Sequence, residues 1–392
     1  MRRATGALGL AVAIAAAFSP PAWTGDWTVA PTLTMGIDND TNRLLTSPAI
    51  PSRGLSVNLD THFELDTERL TLTVRPFGQA ARYSDDRLDP TSEGGVEAAA
   101  NWLQTERSSF NLHTLVQDAS TLYAELNSTG IIHIGQRRRD EDVDGTWSYR
   151  ETERGQLQLG GSYTGSDYHG AGTGPLSNYR QALGTAAENF AFNEQLTLTL
   201  NGSAGDAHTA GAEQSTRFES LGGGFQWQPT ERASVQGTLG VSRQTTTGLV
   251  SNTTIGALTV SYSTELSAFS LNAQRLLQPS GFGIFTQVDQ ASVNASHSLS
   301  ERLSLAAEAE VYRDTSAFTS PFISFSFADR TYAESHLRLN WQQTPTVTLA
   351  LQLEYQRASD PESFLYPLGS QAHGWAVSLQ SVWAPHGVSV SR

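Results

Sequence analysis

The chain has no cysteine, only 2 methionines, and no stretch after its first residues that approaches 18 apolar residues. Without cysteine there are no disulfide staples, which suits a closed sheet exported through an oxidising compartment where lone thiols are a liability. With so little methionine the sequence offers little adaptable core. The missing apolar runs exclude a helical membrane protein, because a spanning helix needs about 20 apolar residues. They leave a transmembrane β-barrel open, since half of a barrel wall is polar. Basic residues are also short: 25 against 39 acidic ones, a formal net charge of −14. That balance argues against nucleic acid or anionic lipid as a general partner.

What is present begins with a targeting pattern. Arg2 and Arg3 precede an apolar stretch from Ala7 to Ala17, followed by small residues and a Pro-Pro break. Residues 1–22 therefore read as a Sec-type signal peptide with cleavage near Ala17 or Ala22. Removal of the two arginines takes the net charge from −14 to −16. Residues 23–384 are expected to form one barrel and 385–392 a short tail.

The barrel expectation rests first on repetition. Thr-Glu-Arg occurs at 67–69, 105–107, 152–154 and 230–232, with degenerate copies Thr264-Glu265-Leu266 and Ser300-Glu301-Arg302. Asn193-Glu194 fills the long gap, and Gln342-Gln343-Thr344-Pro345 follows at the next interval. A period of roughly forty residues with one tight polar turn per unit describes a β-hairpin. Eight turns join sixteen strands, and one further strand at each end makes eighteen. Residues 121–145 are the ambiguous stretch, and 16 strands stay open there. The turn Glu and Arg side chains are expected to form a charged rim that links neighbouring hairpins.

Between the turns the polarity alternates with period two. Val347, Leu349, Leu351, Leu353 and Tyr355 interleave with Thr348, Ala350, Gln352, Glu354 and Gln356. Alternation alone fits a soluble sandwich equally well, and tryptophan placement separates the two. Trp102, Trp147, Trp227 and Trp341 each precede a tight turn, Trp27 opens the first strand and Trp383 closes the last. Folded as antiparallel neighbours they make a ring at one level, the aromatic girdle of a membrane interface. Phe63 and Tyr262 hold the equivalent place in two further units. The longer connections, roughly 39–53, 84–92, 121–136, 167–177, 206–215, 245–251, 279–283, 314–328 and 360–371, then face outward. None is much longer than about 16 residues, so no extended constriction loop is expected, and wall side chains with the 121–136 loop should set the pore size. The segment Gly374–Trp383 has the apolar face and terminal aromatic of a closing strand.

The opening from Trp27 to Leu33, running into Gly36-Ile37-Asp38-Asn39-Asp40-Thr41-Asn42, together with the repeated strand–Thr-Glu-Arg–strand unit, resembles the β-barrel porins encoded beside exopolysaccharide and exosortase systems in Proteobacteria. The resemblance implies an outer-membrane pore, one serving secreted polysaccharide, and implies no catalytic residues or cofactor. The partners it implies are outer-membrane lipid, the barrel assembly machinery, and polysaccharide or periplasmic export components.

Three groups of residues invite a chemical reading. Asp38, Asp40 and Asn42 have the oxygen spacing of a calcium loop, but Arg43 and Ala49 stand where such a loop needs Gly and Glu; local Asx turns are the plainer account. The lumen-facing set is Arg75, Arg150, Glu308, Glu310, Glu334, His336, Arg338 and Glu354, read as a mixed-charge lining that sets ion selectivity. A hydrolase would need a nucleophile beside a base. Ser296-His297-Ser298 fails that requirement, because successive strand residues point to opposite faces. The expectation is a closed antiparallel outer-membrane β-barrel acting as a pore, with a non-conducting docking barrel as the other reading. The protein should migrate heat-modifiably on a gel and give a β-rich circular dichroism spectrum in detergent. A chain that stays soluble and monomeric without detergent would end the barrel reading.

Overall fold

The computed structural model describes residues 26–43, 45, 49–84, 88, 90–121, 136–170, 176–210, 215–246, 249–279, 285–316, 330–359, 372–385 and 387–390. Residues 1–22, expected as a signal peptide, and most of the long connections lie outside these residues, including most of the 121–136 loop expected to help set the pore size.

Among the described residues a single 19-stranded sheet forms. Its strands are β1 (Asp26–Asp40), β2 (Ser52–Asp66), β3 (Leu70–Tyr83), β4 (Thr91–Thr105), β5 (Ser108–Ser120), β6 (Arg137–Arg150), β7 (Gly155–His169), β8 (Tyr179–Ala191) and β9 (Leu196–Thr209). They continue as β10 (Ser215–Thr230), β11 (Ala233–Thr246), β12 (Leu249–Ser263), β13 (Ser267–Pro279), β14 (Phe285–Ser300), β15 (Leu303–Ser316), β16 (Arg330–Thr344), β17 (Val347–Ser359), β18 (Ala372–Trp383) and β19 (Val388–Val390). Each pairs antiparallel with its sequence neighbour from β1 to β18, and β18 returns to β1, from Leu33 opposite Trp383 to Asp40 opposite Ala376. The wall is therefore a closed 18-stranded barrel, and β6 supplies the pair in the region where 16 strands had stayed open. β19 lies within the stretch expected as a tail; it continues the seam by pairing Val390 with Trp27.

Alternation sorts the two faces. Ile37, Leu55, Leu221, Leu239 and Leu353 are exposed on the outside, with Leu239 at 69% and Leu221 at 66%. Their neighbours along each strand, such as Ser56, Ser220, Gly240 and Glu354, point into the lumen. A continuous outward apolar surface on a closed wall is what hydrocarbon requires, because no unpaired strand edge remains. On the inner face of β10 and β11, Gly222 and Gly240 stand directly opposite each other. A Cβ on Gly240 would lie 2.7 Å from the Leu221 carbonyl oxygen, so the strands approach there only because neither residue has a side chain.

Toward the end bearing the long connections, the outward face changes from leucine to charge. Alternation turns Arg53, Arg82, Arg137, Arg139, Arg180, Arg217, Arg243, Arg275, Arg313 and Arg357 outward, together with the fewer carboxylates Asp118, Glu141, Asp167, Asp206, Glu219 and Asp289. Several form pairs on that face: Arg139 with Glu141 at 2.9 Å, Arg217 with Glu219 at 2.9 Å, and Arg275 with Asp289 at 2.5 Å.

The short turns explain the repeated tripeptide. Among the described residues a positive φ occurs only at Leu45 and Gly170, so these turns are not the mirror-image types that favour Asn-Gly. Instead a side-chain oxygen of the first residue closes each one. Thr67 Oγ1 accepts from the Leu70 N–H at 2.9 Å, Thr152 Oγ1 from Gly155 at 2.8 Å, and Asn193 Oδ1 from Leu196 at 2.8 Å. Thr264, Ser300 and Thr344 bond the corresponding N–H, while Thr105 and Thr230 bond the N–H two residues on. Register shifts beside four of the turns, at Leu103/Thr105, Trp227/Thr230, Ser298/Ser300 and Gln342/Thr344, add the bulge that restores strand twist.

The expected rim of linked Glu and Arg side chains does not form: among the described residues no ion pair joins the turn carboxylates to the turn arginines. The backbone makes the link. The carbonyl of each turn's third residue accepts from an N–H at the end of the next hairpin: Arg69 from Leu103 at 2.7 Å, Arg107 from Arg150 at 2.8 Å, and Arg154 from Ala191 at 2.8 Å. The series runs on through Gln195, Arg232, Leu266, Arg302 and Thr346. Glu and Arg thus fill positions whose side chains stay in water, whereas Thr is structural. Thr67→Val should lower barrel stability in urea by about 1 kcal/mol, the ordinary worth of a hydrogen bond, while Glu68→Gln should change it by less than about 0.5 kcal/mol. Equal effects of the two substitutions would contradict this division of roles.

Candidate functional site

The lumen is the only described space large enough for solute traffic, and charge is unevenly distributed around it. On β15, β16 and β17 the register aligns inward-facing residues in rungs. Glu308, His336 and Glu354 form one rung, Glu310, Glu334 and Gln356 the next, and Ala306, Arg338 and Gln352 the third. His336 hydrogen-bonds Glu334, and its other ring nitrogen lies 3.6 Å from Glu354 and 3.1 Å from Gln352. Tyr332 donates to Glu334 at 2.6 Å, and Gln356 to Glu354 at 2.5 Å. Arg338 turns away and donates to Asn340 at 2.8 Å. The hydrogen bonds to Glu334 and Glu354 therefore come from histidine and neutral donors, and Arg43 shares a small recess with Glu354. One oxygen or nitrogen from each of Glu334, His336 and Glu354 falls within 4.8 Å of the others, close enough to share a cation. A recess of about 650 Å³ opens beside them, lined by Glu308, His336, Arg338 and Gln352.

The wall from β2 to β6 carries a second charged array. Arg75 donates to Asp60 at 2.8 Å and to Glu97 at 2.9 Å; Glu97 lies 3.0 Å from His113, and His113 is 3.2 Å from Asp144. This chain of opposite charges crosses five strands. Beside it, Asp140 is nearly buried and accepts from Arg138 at 2.6 Å, Ser166 at 2.6 Å and Gln117 at 3.1 Å. Between the two arrays, β9 to β12 present Asn201, Ser203, Ser220, Thr238 and Ser242, which carry no charge.

Two apolar clusters narrow the mouth at the long-connection end. In the first, Leu45 and Leu88, from two of the connections, pack with inward-facing Tyr332 and Ala372, backed by Tyr83 and Tyr312. Leu45 is fully buried and adopts φ 45°, a left-handed conformation costly for a residue with a branched side chain, so packing and the 2.9 Å bond from its N–H to Asn42 hold it there. In the second, the β12–β13 pairing ends at Gly256 opposite Arg275, beyond which the end of β13 parts from β12. Phe285 at the start of β14 then meets Phe218 of β10, four strands away, at a ring separation of 6.1 Å. Among the described residues no extended constriction loop takes part; the contacts come from single connection residues and from strand ends. These insertions are short and apolar, and a length rule for constriction loops could not find them.

The lumen-facing residues read from the sequence separate in the structure. Glu308, Glu310, Glu334, His336, Arg338 and Glu354 share one wall; Arg75 belongs to the opposed-charge chain; and Arg150 is exposed at the end of β6, in the turn layer. Asp60, Glu97, His113 and Asp144 are absent from that set: Asp60 lies on a cleanly alternating strand and the other three on irregular ones, and only the register shows that they meet. Trp102, Trp227, Trp341 and Trp383 are exposed on the outward face within a few residues of the short turns, and Trp27 sits at the start of β1. Trp147 stacks on Tyr149 at 5.7 Å and donates to Ser108 at 2.9 Å. Asp38 and Asp40 face Arg43, and Asn42 donates to the His373 carbonyl at 3.0 Å, so this loop is an arginine-bound Asx turn. His297 points away from Ser296 and Ser298 and meets Ser267 at 2.8 Å.

Residues 186–373 match the family model described as "Putative beta-barrel porin-2, OmpL-like", which bears out the resemblance to β-barrel porins over those residues. Among solved structures, the chain is similar to Pseudomonas aeruginosa OprD, with 13% identity over 93% of this chain and 96% of that one and a TM-score of 0.46. Acinetobacter baumannii OccAB2 aligns with 10% identity over 91% and 98% of the two chains, at a TM-score of 0.47. A comparison with curated proteins found no match. The chain is a porin-like β-barrel.

The mouth clusters make a direct prediction. Leu45→Ala removes about 2–5 kcal/mol of local packing and should raise single-channel conductance in a planar bilayer. An unchanged conductance would mean that the cluster does not narrow the path.

Proposed function

We propose that this barrel is a passive outer-membrane pore for small hydrophilic solutes, with a preference for cations. The observation that carries the reading is the concentration of Glu308, Glu310, Glu334 and Glu354 on one inner wall, where Arg338 is turned to Asn340. The β2–β6 wall offsets part of its own negative charge, with Arg75 and His113 set among Asp60, Glu97 and Asp144. A water-filled passage lined in this way attracts positive ions by the summed field of its wall, and fixed charges on rigid strands do so without reorganising. The opposed-charge chain across β2–β6 adds a local transverse field and limits the preference.

The mouth bears on cargo size. Leu45, Leu88 and the Phe218–Phe285 contact leave apolar surfaces where a hydrated polymer would have to thread, so small solutes fit the path better than an exported polysaccharide. A non-conducting barrel that docks periplasmic export components is the other reading, and bilayer current separates the two. Purified protein should give a stable open current with a reversal potential of cationic sign under a salt gradient. Glu308→Gln combined with Glu354→Gln should move that potential toward zero, and Arg75→Gln should move it the other way. Both shifts should shrink as salt shortens the Debye length to about 8 Å near physiological strength. An anion preference in the unaltered protein would overturn the acidic-wall reading. A barrel that never conducts, and co-purifies with periplasmic proteins, would support the docking role instead.

A further inference from the structure

Two of the outward arginines toward the long-connection end have no anionic partner among the described residues. Arg53 on β2 and Arg82 on β3 define the sharpest case. Arg82 stands directly opposite Leu55, and Arg53 is two residues along from Leu55 on the same face. Leu55 is 57% exposed on the apolar outer surface, so Arg82 projects outward level with the last leucine of the apolar band and Arg53 just beyond it. Diagonal neighbours on one face are within reach of each other's side chains, and like charges so placed repel. Neither arginine forms an ion pair with a described residue. The residues around them on the outward face of β1 and β4, Asn39, Ser92 and Gly94, carry no carboxylate. Other belt arginines have acidic partners, such as Arg139 with Glu141 and Arg275 with Asp289, so among the described residues this pair is a local feature and not a property of the whole face.

We propose that Arg53 and Arg82 bind the phosphate group of an outer-leaflet lipid headgroup, and that the rest of the arginine belt supports the same contact around the barrel. The assignment rests on the outer-membrane reading above. The height of the pair selects lipid over dissolved anion: a residue two positions beyond Leu55 rises only about 7 Å along the strand, which places its guanidinium where hydrocarbon gives way to headgroups. Its chemistry selects phosphate. All 25 basic residues of this chain are arginine and none is lysine, and the planar arginine fork matches a phosphate's paired oxygens. The net charge of −14 disfavours anionic lipid only as an average. Within the strands toward the long-connection end, alternation turns more arginines than carboxylates outward, so the lipid meets the opposite sign.

The test uses the full-length folded barrel in detergent, selected by heat-modifiable migration, with binding read by native mass spectrometry. The probes are diphosphorylated lipid A, the same acylated glycolipid with its phosphates removed, and inorganic phosphate. The proposal expects the phosphorylated lipid to bind at least tenfold more tightly than the dephosphorylated one. Arg53→Gln combined with Arg82→Gln should weaken it about tenfold, roughly one charge-assisted contact. Arg53→Lys combined with Arg82→Lys keeps the charge and the fold and should weaken it by a smaller factor, through loss of the fork. Arg69→Gln combined with Arg107→Gln, the same charge change at the short-turn end, should leave binding unaltered. Equal binding of the two lipids, an unaffected Arg53/Arg82 glutamine variant, or inorganic phosphate binding as tightly as the lipid would overturn the assignment. Conductance of the same preparations tests the pore separately, since a silent barrel can still bind lipid and a conducting one can fail to.

Discussion

Closure of the backbone hydrogen-bond ladder is the constraint on which the other features depend. In hydrocarbon an unpaired N–H or C=O costs several kcal/mol, so the sheet has no stable open form there. The seam between β1 and β18, extended by β19, satisfies both edges at once. Once the ring is closed, every strand has one face toward lipid and one toward the lumen, and a slip of one residue would reverse both along the whole strand. The exposed leucines outside and the carboxylates inside are therefore two consequences of one register.

The turns serve the same constraint. Hairpins of this twist usually rely on positive φ at Asn-Gly. Here the described short turns stay at negative φ, with a Thr, Ser or Asn oxygen closing the loop and a bulge supplying the missing twist. The carbonyl of the third turn residue then reaches the next hairpin, so that successive hairpins are tied by main-chain bonds and not by charge. This accounts for the first turn residue being Thr, Ser or Asn in every copy, each with a side-chain oxygen to close the loop, and for the change of the third residue in Thr264-Glu265-Leu266 and Thr344-Pro345-Thr346.

Inside the ring, side chains are free of the lipid constraint, and function is concentrated there. The β2–β6 wall binds its charges to one another, whereas the β15–β17 wall leaves carboxylates with neutral or histidine partners. The mouth adds apolar contacts between segments far apart in sequence, such as Leu45 with Tyr332 and Phe218 with Phe285. These contacts narrow a path that the wall alone would leave wide.

Strand alternation, the forty-residue repeat and the tryptophans before the turns are local patterns, and they were enough to indicate a closed barrel and which residues of the regular strands face inward, while the choice between eighteen strands and 16 needed the pairing of β6. Glu308, Glu310, Glu334, His336, Arg338 and Glu354 could be grouped because clean alternation fixes the face of each. The sequence could not say that Arg75 meets both Asp60 and Glu97, that Arg338 turns from the acidic wall to Asn340, or that Arg150 lies in the turn layer. Those outcomes depend on register between strands tens of residues apart and on which partner lies nearest. Nor could it show Leu45 entering the mouth, or Arg53 and Arg82 meeting on the outer face, because both depend on three-dimensional placement at the barrel rim. Period two determines a side; only the closed sheet decides the neighbour.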